Sequence, residues 1–578
     1  MEIKDEKLQM YRHSMAHILA KALQEIYGKN LKLTIGPAIT TGFYYDIDFE
    51  KSIIPEDFSK IEDKMAEIIK RQENFVRKEV SKDEALKLFK DNIYKLEIIN
   101  ELPKDEIISL YYLGEDFIDL CRGPHVENTK YLSSFSYKID KVAGAYWRGN
   151  EKNKMLQRIY VLGFYEKKDL KEHLNFIEEA KKRDNRKLGK ELGLFFVSDY
   201  APGMPFYEPK GLIVKNELIK LWREKQKPRG YIEIETPQIM NRKLWEVSGH
   251  WEHYEQGMYT LKIDNEDYAI KPMSCPGCML FYNENIHSYK DLPLKIAELG
   301  KVHRFESSGE LNGLFRVRCF TQDDAHIFIR EDQLEDQINE IITLIDEIYT
   351  IFGLPYQFYL STMPVNHIGE ESTWRKAEAI FERCLKKSKI NYQINEGDGA
   401  FYGPKIDYKV TDALKRSWQC GTIQIDMQLP KRFNVEYVDV DGVKKQPVML
   451  HRALFGSLER FFGVLIEHYA GAFPTWLAPV QVAVLPIVDK CMAYAKEIRD
   501  MLDQAGVRVE LDERNETINR KIKEASSQKI PYLLIIGEKE VENRTVAVRK
   551  RGVGDQGEVK INDFIKSIQE KIKNRVLE

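Results

Sequence analysis

A highly charged segment in the first third of the chain places the strongest constraint on its fold. Residues 166–187 read EKKDLKEHLNFIEEAKKRDNRK, in which Leu170, Leu174 and Ile177 form one narrow apolar stripe at helical spacing. A stripe this narrow buries too little surface to hold a helix inside a core. We therefore predict a linker helix over 166–187 that joins separately folding domains. Its end is basic, with Lys181, Lys182, Arg183, Arg186 and Lys187.

The length and charge of the chain agree with this division. At about 150 residues per domain, the 578 residues predict three to four domains. Lys and Arg together number 88 and Asp and Glu 91, so the formal charge is −3. That balance excludes a chain that binds nucleic acid by bulk charge alone, whereas local basic surfaces stay compatible with it.

Three sequence features indicate the cellular compartment. No run approaches about 18 consecutive apolar residues, so we expect no membrane span. The N-terminal segment, MEIKDEKLQM, lacks the apolar core of a secretory signal. Seven scattered cysteines do not form a disulfide framework and are typical of a reducing compartment. We therefore expect a cytoplasmic protein.

The pattern of apolar residues predicts a multidomain α+β fold. Before the linker, a helix over 10–27 and two strands around a Thr-Gly turn in 35–48 predict an N-terminal α+β domain over 1–165. After it, short strands such as YIEIETP alternate irregularly with helices, which favours an antiparallel sheet in an α+β domain over 188–475. From there on, strands and helices alternate regularly and predict a compact α/β domain over 476–578.

Arginine side chains are the candidate nucleotide ligands. The sequence contains no P-loop pattern and no convincing GxGxxG after a predicted strand, so P-loop and Rossmann binding have no support. Planar guanidinium groups can instead hold phosphates or stack on bases. Arg304, Arg316 and Arg460 lie in the suggestive strings KVHRFE, LFRVRCFTQDD and LFGSLERFF. Each arginine taken singly is more often a surface or ion-pair residue.

Cysteine and histidine residues form a first candidate metal site. Cys275 and Cys278 in MSCPGC make one CxxC pair, whereas a zinc ribbon needs two such pairs. A mixed site with the distant His326 and His451 would leave one coordination position open, as catalytic zinc requires. Spacing alone does not decide this, because a lone histidine at a strand end is more often structural.

A second Cys-His group lies nearer the N-terminus. His13 and His17 stand at i and i+4, so both project from one face of the predicted helix. Asp119, Cys121 and His125 fall together in DLCRGPH. These residue types suit zinc and equally suit a hydrolytic pocket with several general bases. A structural pair of histidines beside an unrelated buried cysteine is the third interpretation.

Several longer strings are specific enough to indicate a family: SGHWEHY, FTQDDAHIF, DGAFYGPKID, WQCGTIQID and HRALFGSLERF. Three class II motifs occur in order, at Pro237 in GYIEIETP, at Arg304-Phe305-Glu306, and at Gly456, Glu459 and Arg460. The class I signatures HIGH and KMSKS are absent from the sequence. Over essentially its whole length, the chain resembles the bacterial-type threonyl-tRNA synthetases, which are class II aminoacyl-tRNA synthetases.

The resemblance implies a class II antiparallel-sheet catalytic domain that binds ATP together with Mg²⁺. Arg304 would hold the α-phosphate, Glu306 the adenine, and Phe320 and Arg460 would sandwich the base. The implied ATP-binding residues are Arg304, Glu306, Arg316, Phe320, Gln419 and Arg460, and the implied catalytic residues are Arg304, Arg316, Arg460, His250 and Lys405. His250 matches a residue near the terminal ribose of the tRNA.

The resemblance also implies one Zn²⁺ per subunit, held by Cys275, His326 and His451, which would read threonine through its amino and hydroxyl groups. Asp324 would accept the hydroxyl proton. The implied threonine-binding residues are Gln322, Asp324, Tyr402 and Gln424, with Lys405 beside them. Cys278 stands where relatives commonly have a histidine, so we expect it to be inert or to compete as a ligand.

Serine explains why an editing site is implied as well. Valine lacks the hydroxyl and should be rejected by about 10⁴-fold or more, whereas the methyl group that serine lacks contributes only about 1–3 kcal/mol. Ser-tRNA(Thr) would therefore form and need hydrolysis. The implied editing residues are His13, His17, Lys95, Asp119, Cys121 and His125. We favour water activated by polar side chains there, although the ligand types leave zinc open.

The C-terminal domain resembles the anticodon-binding module of this subclass, and Asn515, Glu540 and Arg549 match positions that read exposed anticodon bases. The implied partners are tRNA(Thr), ATP, L-threonine and a second copy of the chain in a homodimer. Most relatives begin with a small β-grasp domain, and we expect a short form without it, because this sequence starts at the editing domain.

Two other classes of protein compete with a threonine–tRNA ligase that clears serine. A non-catalytic RNA-binding paralogue would have lost Arg304, Arg460 or a zinc ligand, and all of these are present. A trans-editing deacylase would lack an intact synthetase core. The complete set of residues favours the ligase.

Overall fold

The computed structural model describes residues 6–103 and 106–578, so residues 1–5 of the charged N-terminal segment lie outside it. The chain folds into two compact units, Met1–Glu178 and Glu179–Glu578. The first unit contains, in chain order, α1 (Glu6–Tyr27), β1 (Lys32–Leu33), β2 (Ala38–Ile39), β3 (Gly42–Asp48), α2 (Phe58–Lys70), β4 (Phe75–Val80), α3 (Lys82–Leu88), α4 (Ile93–Glu101), β5 (Ile108–Leu113), β6 (Phe117–Leu120), β7 (Tyr137–Tyr146), β8 (Met155–Gly163) and the first part of α5 (Lys167–Arg183).

Two antiparallel sheets form the first unit. The larger has the strand order β1-β3-β8-β7, with β2 also paired to β3, and the smaller has the order β4-β5-β6. α1 and α2 cover the larger sheet through buried apolar residues such as Leu19, Phe43, Ile61 and Val161. The predicted helix over 10–27 is confirmed as part of α1, and the predicted strand pair is confirmed as β2 and β3.

The second unit starts with a large α+β region. After α5 it contains α6 (Asn185–Glu191), β9 (Phe195–Val197), β10 (Pro205–Tyr207), α7 (Pro209–Gln226), β11 (Ile232–Glu233), β12 (Ile239–Asn241), α8 (Arg242–Ser248), α9 (His250–Tyr254), β13 (Tyr259–Ile263), β14 (Glu266–Ile270), α10 (Cys275–Asn283), β15 (His287–Ser288), β16 (Leu294–His303), β17 (Cys319–Ile329), α11 (Leu334–Phe352), β18 (Tyr356–Ser361), α12 (Glu371–Lys387), β19 (Tyr392–Asn395), β20 (Lys405–Thr411), β21 (Ser417–Asp426), α13 (Leu429–Arg432), β22 (Tyr437–Val438), β23 (Lys444–Lys445), β24 (Val448–Ser457) and α14 (Leu458–His468).

An eight-stranded sheet organises this region. Its order is β11-β16-β17-β24-β21-β20-β18-β19, and its pairs are antiparallel except for β11 with β16 and β18 with β19 at the two edges. α11 and α14 bury apolar side chains such as Ile345, Phe461 and Leu465 in the same core as the sheet. The predicted antiparallel α+β fold is confirmed.

The end of the second unit has a mixed sheet. Its elements are β25 (Val482–Pro486), α15 (Met492–Gln504), β26 (Val509–Leu511), α16 (Ile518–Ser527), β27 (Tyr532–Ile536), α17 (Glu538–Asn543), β28 (Thr545–Lys550), β29 (Gly554–Lys560) and α18 (Ile561–Lys573). β26, β25 and β27 are parallel neighbours, and β28 and β29 add antiparallel strands at one edge. This is the predicted C-terminal α/β domain, with two antiparallel strands added.

The predicted linker helix differs from the structure at its end. α5 stops at Arg183, and α6 starts at Asn185. The side chain of Asp184 accepts hydrogen bonds from the backbone N–H groups of Arg186 and Lys187, and such a cap begins a new helix. The prediction of one helix over 166–187 was therefore wrong at this point. Within residues 6–103 and 106–578, no helix has the length and apolar character needed to cross a membrane.

Candidate functional site

Most of the predicted catalytic residues line one cleft of about 520 Å³ in the second unit. The residues it brings together are Cys275, Arg304, Glu306, Arg316, Phe320, Gln322, Asp324, Tyr402, Gln419, Gln424, His451 and Arg460. The central strands of the eight-stranded sheet explain this convergence. Alternate residues of a strand face the same side, so Gln322, Asp324 and His326 on β17 share one face.

A buried Cys-His cluster lies at one end of the cleft. His326 on β17 stands directly opposite His451 on β24, and Cys275 is the first residue of α10. One donor atom of each residue lies within 4.8 Å of the others, and all three side chains are buried. The thiol Sγ of Cys275 lies 3.4 Å from Nδ1 of His451. The three residues that family resemblance implies as zinc ligands are thus brought together.

A carboxylate that the sequence analysis missed orients one histidine of this cluster. Nε2 of His451 donates a hydrogen bond of 2.8 Å to the buried Asp426, so Nδ1 is the acceptor that faces Cys275. Asp426 is itself held by the backbone N–H groups of Gln428 and Leu429 at 2.8 and 2.9 Å. A carboxylate behind a histidine is the usual support of a metal ligand.

The charge of the cluster favours a cation. Burial, followed by the nearby carboxylates of Asp324 and Asp426, raises the pKa of the Cys275 thiol well above its usual value. Burial lowers the pKa of His326, so this imidazole is neutral and free to ligate. Burial and the carboxylates of Asp323 and Glu298 raise the pKa of Asp324 to about 7. A soft divalent metal would stabilise the thiolate and the surrounding negative charge.

The other end of the cleft is rich in arginine. Arg304 lies 5.1 Å from the ring centre of Phe320. Arg316 forms an ion pair of 2.8 Å with Glu306. Arg460 donates hydrogen bonds to the backbone oxygens of Phe315 and Gln419 at 3.0 and 3.1 Å. Burial, together with Arg304 and Arg316, lowers the pKa of Arg460, which indicates a concentration of positive charge suited to phosphates.

A second missed residue, Asp323, shapes the strand that leads into the helix of Arg460. Its buried carboxylate accepts hydrogen bonds of 2.8–3.1 Å from the backbone N–H groups of Leu454, Phe455 and Gly456. A bulge occurs there in the pairing of β17 with β24. Gly456 has a φ of +76°, and a Cβ would lie 2.4 Å from the backbone oxygen of Cys420. The bulge leads β24 into α14 and so places Arg460.

Two predicted catalytic residues lie off the surface of the cleft. His250 is fully buried, with Nδ1 at 2.8 Å from Oγ of Ser248 and Nε2 at 3.0 Å from the sulfur of Met273. Met273 lines the cleft, so His250 lies one layer behind it. Burial and the charge of Arg304 lower the pKa of His250 to about 3. Lys405 is paired with Asp407 at 3.0 Å.

The first unit holds the second Cys-His cluster. Its members are His13, His17, Cys121 and His125, whose donor atoms lie within 4.8 Å of one another. Nε2 of His13 and Nε2 of His125 each lie 3.2 Å from Sγ of Cys121. Burial raises the pKa of Cys121 to about 11, so the thiol stays neutral. His13, His17 and Cys121 border a cleft of about 700 Å³.

An ion pair lies beside this second cluster. Lys95 contacts Asp119 at 2.5 Å, and both side chains are buried. The hydroxyl of Tyr45 donates a hydrogen bond of 2.6 Å to the same carboxylate, and Tyr45 was missed in the sequence because no local pattern marks it. Burial, then the charges of His13 and Lys95, lowers the pKa of His17 well below its usual value.

The three predicted anticodon readers lie on different elements of the C-terminal sheet region. Asn515 follows β26 and is exposed, and Arg549 is exposed on β28. Glu540 lies on α17, and one of its carboxylate oxygens is already occupied by a hydrogen bond of 2.8 Å from the N–H group of Gly537. The structure gives no direct contact that joins the three side chains.

Family models match three parts of the chain. The core domain of class II tRNA synthetases (G, H, P, S and T) matches residues 259–469. An anticodon binding domain matches residues 481–571. The second additional domain of threonyl and alanyl tRNA synthetases matches residues 108–160, which include Asp119, Cys121 and His125.

Whole-chain comparisons point the same way. The chain is 55% identical over 572 residues to a threonine–tRNA ligase of Clostridioides difficile. The match covers 99% of this chain and 89% of that protein. It is 54% identical over 573 residues to a threonine–tRNA ligase of Carboxydothermus hydrogenoformans, with 99% and 90% covered. A crystal structure of the RNA binding domain of threonyl-tRNA synthetase from Cryptosporidium parvum superimposes with a TM-score of 0.65 at 39% identity, over 67% of this chain and 98% of that one. The chain belongs to the threonine–tRNA ligases, a family of class II aminoacyl-tRNA synthetases.

Proposed function

We propose that this ligase activates L-threonine in the cleft of the eight-stranded sheet, transfers it to tRNA(Thr), and hydrolyses Ser-tRNA(Thr) in the cleft of the first unit. The observation that carries the proposal is the meeting, in one cleft, of a buried Cys-His cluster and three arginines. One end therefore suits an amino acid with a metal-binding hydroxyl, and the other suits a polyphosphate. We propose the domain division 1–165, 188–475 and 476–578, joined by the linker.

Cys275, His326 and His451 are the proposed zinc ligands. Three protein ligands leave a coordination position open, and zinc bound there would supply a Lewis-acidic contact to the hydroxyl and amino groups of threonine. Asp324 lies on the same face of β17 as His326 and is the proposed acceptor of the hydroxyl hydrogen bond. The hydroxyl of Tyr402 donates a hydrogen bond of 2.5 Å to the side-chain oxygen of Gln424. Both residues line the cleft, at its proposed threonine end.

The arginine end is the proposed ATP site. Arg304, Arg316 and Arg460 hold positive charge where the phosphates would lie, and the class II reaction uses Mg²⁺ with ATP. Fixed positive groups stabilise the charge that develops as the threonine carboxylate attacks the α-phosphorus and pyrophosphate leaves. The Glu306–Arg316 pair would open to release Glu306 for adenine. Gln419 and Phe320 complete the proposed nucleotide site.

His250 and Lys405 are proposed to act from behind the surface. His250 is neutral at pH 7, since its pKa is lowered to about 3, and it supports Met273 on the cleft side. We propose that it orients the terminal ribose through this contact. Lys405 pairs with Asp407, whose carboxylate also accepts a hydrogen bond of 2.6 Å from Gln419, so Lys405 is proposed to hold the wall of the cleft.

The second Cys-His cluster is the proposed editing site. Its neutral thiol and imidazoles, with the Lys95–Asp119 pair, can hold and polarise a water for attack on the seryl ester. We propose that this reaction uses no metal, since the cation of Lys95 already compensates the carboxylate there. The match to the second additional domain supports this assignment.

The proposed partners are tRNA(Thr), whose anticodon Asn515, Glu540 and Arg549 would read, and a second copy of the chain. A homodimer is supported by an exposed aromatic surface on the β9–β10 hairpin, just before α7. Phe196 and Phe206 stack there with ring centres 5.0 Å apart, and Tyr200 is fully exposed. We propose the cytoplasm as the location.

The test is ATP–pyrophosphate exchange with threonine, serine and valine, before and after zinc removal. We expect strong exchange with threonine, weaker exchange with serine and almost none with valine, all lost on chelation and restored by zinc. Undiminished exchange after zinc removal would overturn the metal assignment. No exchange under any condition would favour an RNA-binding paralogue.

A further inference from the structure

We propose that one face of α7 fixes the anticodon-binding domain against the catalytic domain, and that Glu217, Glu224, Arg508 and Arg575 are positioning residues for the transfer of threonine to tRNA. The inference goes beyond the ligase activity, because it concerns how recognition at the anticodon reaches the catalytic cleft. It is built on contacts within the second unit.

The first observation is a stripe of charged residues on α7. Lys210, Glu217 and Glu224 stand at i, i+7 and i+14, so they share one face of the helix. Each pairs with the C-terminal domain. Lys210 lies 3.6 Å from Glu510 and donates a hydrogen bond of 3.3 Å to Gln528. Glu217 pairs with Arg508 at 2.9 Å, and Glu224 pairs with Arg575.

Arg508 does more than form a surface ion pair. Besides Glu217, its guanidinium donates hydrogen bonds of 2.6 and 3.0 Å to the backbone oxygens of Trp476 and Ala478. These residues belong to the connecting segment, residues 469–481 between α14 and β25. A guanidinium that binds a carboxylate and two backbone carbonyl groups at once is fixed in position. Arg508 therefore restricts movement of the connecting segment.

The rest of the connection is held in the same way. Arg551 donates hydrogen bonds to the backbone oxygens of Ala472 and Phe473 at 3.1 and 2.6 Å. The carboxylate of Glu578 accepts a hydrogen bond of 2.7 Å from Thr475 and pairs with Lys571 at 2.9 Å. The anticodon-binding domain therefore holds the connecting segment at several points along its length.

The opposite side of α7 reaches the ATP end of the cleft. At about 100° per residue, Lys215 points about 160° away from Glu217 around the helix. Its ammonium group lies 2.8 Å from Glu459 and 3.0 Å from Oγ1 of Thr321. Glu459 directly precedes Arg460 and accepts the backbone N–H of Thr321 at 2.7 Å. One rigid helix thus touches both the anticodon-binding domain and the segment that places Arg460.

The consequence concerns the transfer step. Contacts made at the anticodon accelerate transfer only when they hold the 3′ end of the tRNA in the reactive position. If the C-terminal domain were loose, anticodon contacts would still form, but they would no longer orient that end. Loosening should therefore lower kcat for aminoacylation, leave KM for tRNA nearly unchanged and leave threonine activation intact.

The experiment uses the full chain and two kinds of variant. Arg508→Ala removes the contacts to Glu217 and to the connecting segment. Glu224→Arg places like charges together at a half-exposed position, where the two side chains can separate into solvent, and Glu224→Arg with Arg575→Glu restores opposite charges. Arg499→Ala is the control, because Arg499 is partly exposed and pairs with Asp500 in its own domain.

We expect kcat for aminoacylation to fall by about 10- to 100-fold in Arg508→Ala and by less in Glu224→Arg. The reversed pair should recover most of the loss, and ATP–pyrophosphate exchange and Arg499→Ala should match wild type. A parallel fall of exchange and aminoacylation, a rise in KM in place of the fall in kcat, or wild-type aminoacylation in both variants would overturn the proposal. An inactive wild-type chain would instead contradict the ligase function.

Discussion

The two Cys-His clusters of this chain use the same ligand types in different electrostatic surroundings. In the second unit, Cys275, His326 and His451 are all buried, and Asp426 bonds to one of the histidines. In the first unit, the cluster has one more histidine, but three of its four members are only partly buried. Its nearest charges are the ion pair of Lys95 and Asp119.

The difference shows that the number of donors alone is a poor guide to a metal site. A divalent ion is stabilised where carboxylates bond to the ligands from behind and are not already paired with a cation. In the cluster with three donors, Asp426 bonds directly to His451, although Arg452 is also near and adds to the lowering of the His326 pKa. In the cluster with four donors, the nearby carboxylate of Asp119 is already paired with Lys95, which also lowers the pKa of His17. We therefore expect zinc to read threonine in one cleft and water to be the reactant in the other.

The largest effect is expected from breaking the proposed zinc cluster. Cys275→Ser should remove the bound zinc and lower threonine-dependent ATP–pyrophosphate exchange by about 10³-fold, since metal contacts supply several kcal/mol and each 1.36 kcal/mol is about tenfold. Hydrolysis of Ser-tRNA(Thr) should stay at the wild-type rate. Exchange that survives this substitution would contradict the comparison.

The matched substitution in the other cluster should do the reverse. His125→Asn should lower the hydrolysis of Ser-tRNA(Thr) by about 10²-fold, the scale of lost acid–base assistance. Zinc content and threonine-dependent exchange should not change. Single-turnover deacylation with preformed Ser-tRNA(Thr) measures the loss, and a variant that also loses zinc would show that the clusters are not independent.

The supporting carboxylate should have an intermediate effect. Asp426→Asn leaves the three ligands in place but weakens the orientation of His451, so zinc affinity should fall by about 10- to 100-fold. Competition with a chelator measures this affinity. Asp412→Asn is the control, because Asp412 is another buried carboxylate that holds backbone N–H groups, of Leu414 and Arg416, at 2.8 and 2.9 Å. Equal zinc loss in both variants would point to general destabilisation.

The smallest effect should come from the hydroxyl of Tyr45, which lies behind the proposed editing site. Tyr45→Phe removes one hydrogen bond to the buried Asp119, which is worth about 1.5–3 kcal/mol for a charged acceptor. We expect Ser-tRNA(Thr) hydrolysis to fall by about tenfold, the lower end of this range, because Asp119 keeps its ion pair with Lys95. Tyr44→Phe, one residue away on β3, should leave it unchanged. A loss as large as that of His125→Asn would mean that Tyr45 itself contacts the substrate.

Local sequence patterns were sufficient to predict part of the fold and part of the two clusters. The spacing of His13 and His17 needs only helix geometry, and the structure places both rings on one face of α1. The antiparallel sheet followed from irregularly spaced short strands. By contrast, the helix break at Asp184 depends on N-cap hydrogen bonds that compete with a continuous helix. The charge pattern of 166–187 does not reveal them.

Contacts between distant strands could not be predicted from the sequence. His326 faces His451 because β17 and β24 pair in one register, which no local spacing shows. Asp426 acts on His451, 25 residues further along the chain, and Asp323 holds backbone N–H groups that begin 131 residues away. His250 and Lys405 matched a family pattern, yet packing places Met273 in front of His250 and pairs Lys405 with Asp407. Motifs identify residue types, whereas packing decides which of them reach the substrate.

Zinc content per chain separates the two clusters most sharply, and elemental analysis measures it on the wild type and on the Cys275→Ser and Cys121→Ser variants. We expect one zinc per chain in the wild type, one in Cys121→Ser and none in Cys275→Ser. Two zinc ions in the wild type, with one lost in Cys121→Ser, would contradict the distinction between the clusters. Zinc retained in Cys275→Ser would contradict the proposed ligands.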